Sequence, residues 1–126
     1  MRKNRVMIID DDKVFLEELN ETLVLSGYEI TQVNDPLAAV DKACSLKPDL
    51  IIMDIKMPGT DGFQLAEKFK QLPETSSIPI IGMSAYFDRQ KYSSLMSMCG
   101  IEAFLTKPFN PVDIIAQIEK LLPQNP

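Results

Sequence analysis

The chain contains no histidine. That absence excludes a Ser/His/Asp triad, a Cys/His pair and His-ligated zinc, and leaves carboxylates, hydroxyls and lysines to carry any chemistry. Cysteine is nearly as scarce. Cys44 and Cys99 stand apart without CxxC or Cys/His spacing, so they read as reduced, mostly buried small hydrophobes of a cytoplasmic protein. No apolar run approaches the roughly 18 residues of a membrane span. Behind the basic start MRKNR, the VMII of residues 6–9 is too short for the apolar core of a signal peptide. Basic residues are in deficit, 13 against 18 acidic, which gives a net charge of -5 and argues against direct nucleic-acid binding through phosphate neutralisation. A partner with a basic face stays possible.

What is present fits one globular domain over residues 1–126, large enough for a real core. Short runs rich in Val and Ile recur at 5–9 (RVMII), 29–33 (EITQV), 49–53 (DLIIM), 78–83 (IPIIGM) and 102–105 (EAFL), and read as strands. Between them lie segments of helical spacing. Phe15, Leu19 and Leu23 mark a first helix that Gly27 can end; Asp35 and Pro36 suit the start of a second; Leu65 and Phe69 carry a third, opened near Thr60 or Asp61. Tyr92, Leu95, Met96 and Cys99 form the stripe of a fourth, and Ile114, Ile115, Ile118, Leu121 and Leu122 that of a fifth. A helix between each pair of strands argues for parallel pairing in a five-stranded doubly wound α/β sheet. The central strands are continuously apolar, as expected where helices cover both faces. The tail PQNP after Leu122 reads as a frayed end.

In such sheets ligands collect beyond the carboxyl ends of the strands. The first of those ends carries Asp10 and Asp11, the third Asp54, the fourth Ser84, and the fifth Thr106, Lys107 and Pro108. Each residue has an ordinary explanation. Asp11 or Asp12 can cap the first helix, Asp54 can be a turn residue, Ser84 can cap the fourth helix, and Lys107 can be a solvated loop lysine. Together they are harder to dismiss, because unrelated caps and turns would not gather three carboxylates, a hydroxyl and an ammonium at one edge. Adjacent like charges at 4 Å repel by roughly 4 kcal/mol when the effective dielectric constant is about 20. Asp10, Asp11 and Asp54 bring about three negative charges and Lys107 returns one, so the remainder suits a divalent ion such as Mg²⁺, which prefers oxygen ligands. Asp12, one place beyond the pair, reads as a helix-start acid.

The four stretches IIDDD, DLIIMDIKMPGTDG, PIIGMSA and FLTKPF, in this order and spacing, resemble the receiver domain of two-component response regulators over about residues 4–122. The resemblance implies a flavodoxin-like sheet of strand order 2-1-3-4-5 with five helices. It implies that Asp54 accepts a phosphoryl group from a phosphohistidine on a sensor histidine kinase or histidine phosphotransfer protein. Asp10, Asp11, Asp54 and the main-chain carbonyl of Lys56 would then hold Mg²⁺, for which Mn²⁺ can substitute. Lys107 would be the fixed cation, with a cis bond to Pro108 as in the family. Ser84 would hydrogen-bond the phosphoryl group, and Phe104 would be the switch aromatic. Lys56 and Tyr86, each two places beyond the acceptor and the hydroxyl, would tune the lifetime of the phosphoryl group.

By the same resemblance the chain is a cytoplasmic signalling phosphoacceptor that catalyses only its own phosphorylation and dephosphorylation. Its readout would be the surface of helix four, strand five and helix five, acting on a downstream protein or an output domain and allowing a phosphorylation-linked homodimer. Gly82 inside the fourth strand departs from a good strand former and can permit close packing. KMPGTDG reads as a tight turn and cap, with Pro58, Gly59 and Gly62 set for backbone angles. Two other classes compete. A Mg-dependent phosphatase of haloacid-dehalogenase type also uses an aspartate nucleophile, but wants a second acid where Lys56 stands. A flavodoxin-like mononucleotide binder wants a Gly-rich phosphate loop, which is missing.

Overall fold

A computed structural model describes residues 3–86 and 88–122; the expected frayed tail lies outside them. Strands β1 (Arg5–Ile9), β2 (Glu29–Val33) and β3 (Leu50–Asp54) are joined by helices α1 (Lys13–Leu25) and α2 (Ala39–Leu46). A short hairpin follows, β4 (Lys56–Met57) with β5 (Thr60–Asp61), then α3 (Gly62–Gln71), β6 (Ile80–Ser84), α4 (Arg89–Cys99), β7 (Ala103–Thr106) and α5 (Pro111–Leu121). The main sheet runs β2-β1-β3-β6-β7, which is order 2-1-3-4-5 when its own five strands are counted, and every pairing in it is parallel.

Side-chain alternation along the strands divides the core in two. Met7, Ile9, Ile51, Met53 and Ile80 face one side and pack with Ala43 of α2, Phe69 of α3 and Tyr92 of α4. Val6, Ile8, Leu50, Ile52, Ile81 and Met83 face the other and meet Leu16, Leu19 and Leu23 of α1 and Ile114 and Ile118 of α5. Both faces of β1, β3 and β6 are therefore dry, which explains their unbroken apolar sequence. Cys99 is buried and burial pushes its thiol up, whereas Cys44 is only half-buried. No helix among the described residues is long and apolar enough to cross a membrane.

Several boundaries differ from expectation. Strand β3 takes in Asp54, since the ladder continues one step further through the Ile55 N–H to the Met83 carbonyl at 2.9 Å. Strands β6 and β7 begin at Ile80 and Ala103 rather than 78 and 102. Asp35 and Pro36 open a 3₁₀ turn over Pro36–Ala38, and α2 starts only at Ala39 without a side-chain cap. Asp88, not Ser84, caps α4, its carboxylate accepting from the N–H groups of Gln90 and Lys91. The KMPGTDG stretch holds the expected turn, at Gly59 with φ 73°, and the expected cap, Asp61 accepting the Phe63 N–H at 2.9 Å, and its two arms pair as a short hairpin.

Gly62 has a positional rather than an angular reason. A Cβ there would sit 2.5 Å from the Ile55 Cα and 2.6 Å from its carbonyl oxygen, both backbone atoms. Gly62→Ala must push α3 away from the segment after Asp54, and the expected loss is about 2–3 kcal/mol, read as a lowered urea midpoint. An unchanged midpoint would contradict the close approach.

Candidate functional site

Parallel ladders fix the strand ends before any side chain is considered. The Asp10 N–H donates to Val33 O at 3.1 Å, and the Lys107 N–H donates to Ser84 O at 2.7 Å. Asp54 stands opposite Met83, and Ser84 opposite Thr106. The carboxyl edge of the sheet thus carries Asp10, Asp54, Ser84 and Lys107 on neighbouring strands or just past them.

The side chains complete the gathering. Lys107 Nζ donates to Asp10 Oδ2 at 2.6 Å and to Asp54 Oδ2 at 3.2 Å, linking residues 97 and 53 positions away in sequence. One carboxylate oxygen from each of Asp10, Asp11 and Asp54 lies within 4.8 Å of the others. Asp10 is fully buried, Asp54 is 7% exposed, and Asp11 is exposed. The free carboxylate oxygens are oriented locally: Asp10 Oδ1 accepts the Asp12 N–H at 3.0 Å, and Asp54 Oδ1 the Lys56 N–H at 2.9 Å. Asp12 itself caps α1 by accepting from Val14 and Phe15, so it is the helix-start acid its position suggested. The Lys107–Pro108 peptide is cis.

Burial pushes the Asp10 carboxyl up, against the Lys107 hydrogen bond that lowers it. Burial pulls the Lys107 ammonium down, but the hydrogen bond and charge of Asp10, with the charge of Asp54, outweigh it and hold the lysine above its usual pKa. The site accordingly has one firmly held cation against three acids. Its donors are hard oxygens in close array, a set that fits a small divalent ion.

Ser84 is buried, and its Oγ accepts the Tyr86 N–H at 3.2 Å. Tyr86 is largely exposed beside the site, and Lys56 Nζ stands 6.0 Å from the centre of its ring. Phe104 is half-buried on β7, directly across from Gly82. A Cβ on Gly82 would come within 3.1 Å of both the Phe104 ring and Ile55 Cδ1, so the glycine makes room for these two side chains. Phe104 lies 6.2 Å from Tyr92, which in turn lies 5.4 Å from Phe63, forming a chain of rings from β7 to α3. One neighbour of the site escaped sequence reasoning: Phe15, legible only as part of the α1 stripe, sets its ring 4.0 Å from Lys107 Nζ. Nothing in the sequence sets it apart from the other members of that stripe.

A family model described as the response regulator receiver domain matches residues 6–119. Among curated proteins, the chain is 32% identical over 119 residues to the DNA-binding dual master transcriptional regulator RpaA of Synechocystis, covering 94% of this chain and 48% of that protein. It is 31% identical to the phosphate regulon transcriptional regulatory protein PhoB of Pseudomonas aeruginosa, covering 93% and 51%. With the response regulator PleD of Caulobacter vibrioides the identity is 33%, covering 93% and 26%. The chain thus spans about half the length, or less, of these relatives. Among solved structures, the chemotaxis response regulator CheY4 of Vibrio cholerae superposes with a TM-score of 0.89 at 26% identity, covering 96% of this chain and all of that one. The signal receiver domain of a histidine kinase from Syntrophus aciditrophicus gives 0.84 at 30% identity, covering 94% and 89%.

Proposed function

Since the chain belongs to the response regulator receiver family, we propose that it is a phosphorelay module whose Asp54 takes a phosphoryl group from a phosphohistidine. The observation that carries this reading is the sharing of one ammonium, Lys107, between the buried Asp10 and the Asp54 carboxylate at the mouth of an acidic cluster. An oxygen of Asp54 forms a bond to phosphorus as the P–N bond breaks, and the electron pair of that bond goes to the donor ring, whose other nitrogen carries a proton. An acyl phosphate and a neutral histidine result. With acetyl phosphate the leaving group is acetate. The reaction is confined to the chain's own phosphorylation and dephosphorylation.

The carboxylates of Asp10, Asp11 and Asp54 and the main-chain carbonyl of Lys56 would hold Mg²⁺, or Mn²⁺ in its place. When bound, the ion supplies positive charge for the phosphoryl oxygens. Lys107, already held between two acids, turns its N–H groups toward the same oxygens. Ser84, with its hydroxyl at the edge of the site, hydrogen-bonds the transferred group and draws the β6 end inward. Phe104 is then the switch, its ring turned inward as the movement of Ser84 vacates space, and the surface of α4, β7 and α5 changes its partners. The phosphodonor is a sensor histidine kinase or histidine phosphotransfer protein. The response passes to an output domain or a separate downstream protein, with a phosphorylation-linked homodimer as one form it can take. The setting is cytoplasmic, the core is about residues 4–122, and contact with nucleic acid is not direct. Nothing in the site favours the phosphatase reading, since Lys56 stands where its second acid would be.

Intact-mass analysis after incubation with acetyl phosphate and Mg²⁺ tests the reading: one added phosphoryl group is expected, and none with a chelator present. Lys56 and Tyr86 flank the mouth, so they govern the approach of hydrolytic water. Tyr86→Ala is expected to shorten the half-life of the phosphorylated chain several-fold, and Lys56→Ala to change it as well. Decay rates unchanged in both variants would remove the role assigned to this pair.

A further inference from the structure

Lys107 is held on three sides, and only two of them are carboxylates. The third is the ring of Phe15, whose centre lies 4.0 Å from Nζ, well inside the roughly 6 Å over which a cation is drawn to an aromatic face. The ring is not there by chance of a loose rotamer. The Phe15 N–H is tied to the Asp12 carboxylate at 3.1 Å, which fixes its backbone in the first turn of α1. Its ring meets Phe109, two residues beyond Lys107, edge to face at 6.0 Å and 79°. It also packs against the core shared by α1 and α5. The backbone of Lys107 is anchored by Ser84 O, but four methylene groups separate that anchor from the charge.

Resting on the phosphoacceptor reading above, we propose that Phe15 is a positioning residue for Lys107, holding its ammonium beside Asp54 through the ring face. The chemistry calls for such a holder. Lys107 has to exchange its contacts with Asp10 and Asp54 for contacts with phosphoryl oxygens, and a further carboxylate or carbonyl would compete for the same N–H groups. An aromatic face attracts the charge and shields it from water, yet accepts no strong hydrogen bond. It therefore narrows the positions open to the amine without occupying its donors.

The test places 4-fluoro-, 3,4,5-trifluoro- and pentafluorophenylalanine at position 15 of the full chain, which drains the ring face of negative charge at nearly constant size. The initial rate of phosphoryl uptake from acetyl phosphate with Mg²⁺ is expected to fall stepwise along the series, several-fold at the last member, with urea midpoints held close to wild type. Phe15→Tyr and Phe15→Trp keep the rate within about twofold, whereas Phe15→Leu falls with the pentafluoro variant. Independently, proton NMR of the unphosphorylated chain is expected to show the Lys107 ε-methylene shifted upfield by the ring, and the shift lost in Phe15→Leu. A wild type that takes up phosphoryl while the fluorine series stays flat, or a Leu variant as fast as wild type, overturns the role of Phe15 alone. A wild type that takes up none overturns the phosphoacceptor reading, and this proposal with it.

Discussion

Asp54→Ala is expected to take up no phosphoryl group from acetyl phosphate or from a phosphohistidine donor, under conditions where the wild type gains one. The reason lies in how the three acids differ. Asp10 is fully buried and its carboxylate is engaged by Lys107 and by the Asp12 N–H, so no bulky donor can reach it. Asp11 is exposed, and Lys107 is held by the other two acids instead. Asp54 alone is both partly open and paired with the lysine, which is what a carboxylate needs to attack a phosphoryl group whose developing charge must be neutralised. On the proposed role of Asp54 its removal deletes the nucleophile, so the effect is total rather than graded. Intact mass reads it directly. Continued uptake by the variant would move the acceptor elsewhere.

Lys107→Met is the second large effect, and it acts on both rate and stability. Losing a fixed donor aimed at developing negative charge typically costs about 10²–10³ in rate, so uptake from acetyl phosphate should fall by about that factor without disappearing. In the fold, the variant leaves Asp10 fully buried beside Asp54 with no cation between them. Breaking a buried pair from one side costs about 3 kcal/mol. The pH dependence has a definite sign. The folded Asp10 carboxyl is already pushed above the ordinary value of 3.8, so the folded chain keeps that proton longer than the unfolded one. Its charge costs stability as pH rises from about 3.8 through the raised value, and costs nothing below. Without Lys107 that cost grows, so the variant's deficit in urea midpoint should be large at neutral pH and shrink on acidification. A deficit that is equal at pH 7 and near pH 4 would contradict this account of the pair. On the proposed metal role, Mg²⁺ should raise both midpoints, because only the folded chain gathers Asp10, Asp11 and Asp54 into one cluster.

Most of the architecture could be read in advance because parallel strands buried on both faces leave a strong mark, as in LIIM at 50–53, where every residue is buried. The site was legible for a related reason: ligands gather at strand ends, so polar residues just past each apolar run could be matched to one edge. What failed was local. The periodic stripe of α4 begins at Tyr92 and fits a cap at Ser84 as well as one at Asp88, and only backbone geometry chooses Asp88. The β4–β5 hairpin needs two residues a side, too few for any alternation to register. Gly62 looked like an angular requirement when the constraint is the Ile55 backbone lying against it. Phe15 was readable as helix stripe, but nothing in its spacing reveals that a lysine from the far end of the sequence stops over its ring. Gly82 shows the opposite pattern: its suggested role in close packing is borne out, with Ile55 and Phe104 filling the space.

The central claim is best tested by trapping the modified residue. The chain is phosphorylated with acetyl phosphate and Mg²⁺, reduced with borohydride, digested and mapped by tandem mass spectrometry. An aspartyl phosphate is reduced to homoserine, which should appear at position 54 alone. Phosphate retained as a stable ester on Ser84, or homoserine at 10 or 11 with Asp54 intact, would contradict the account.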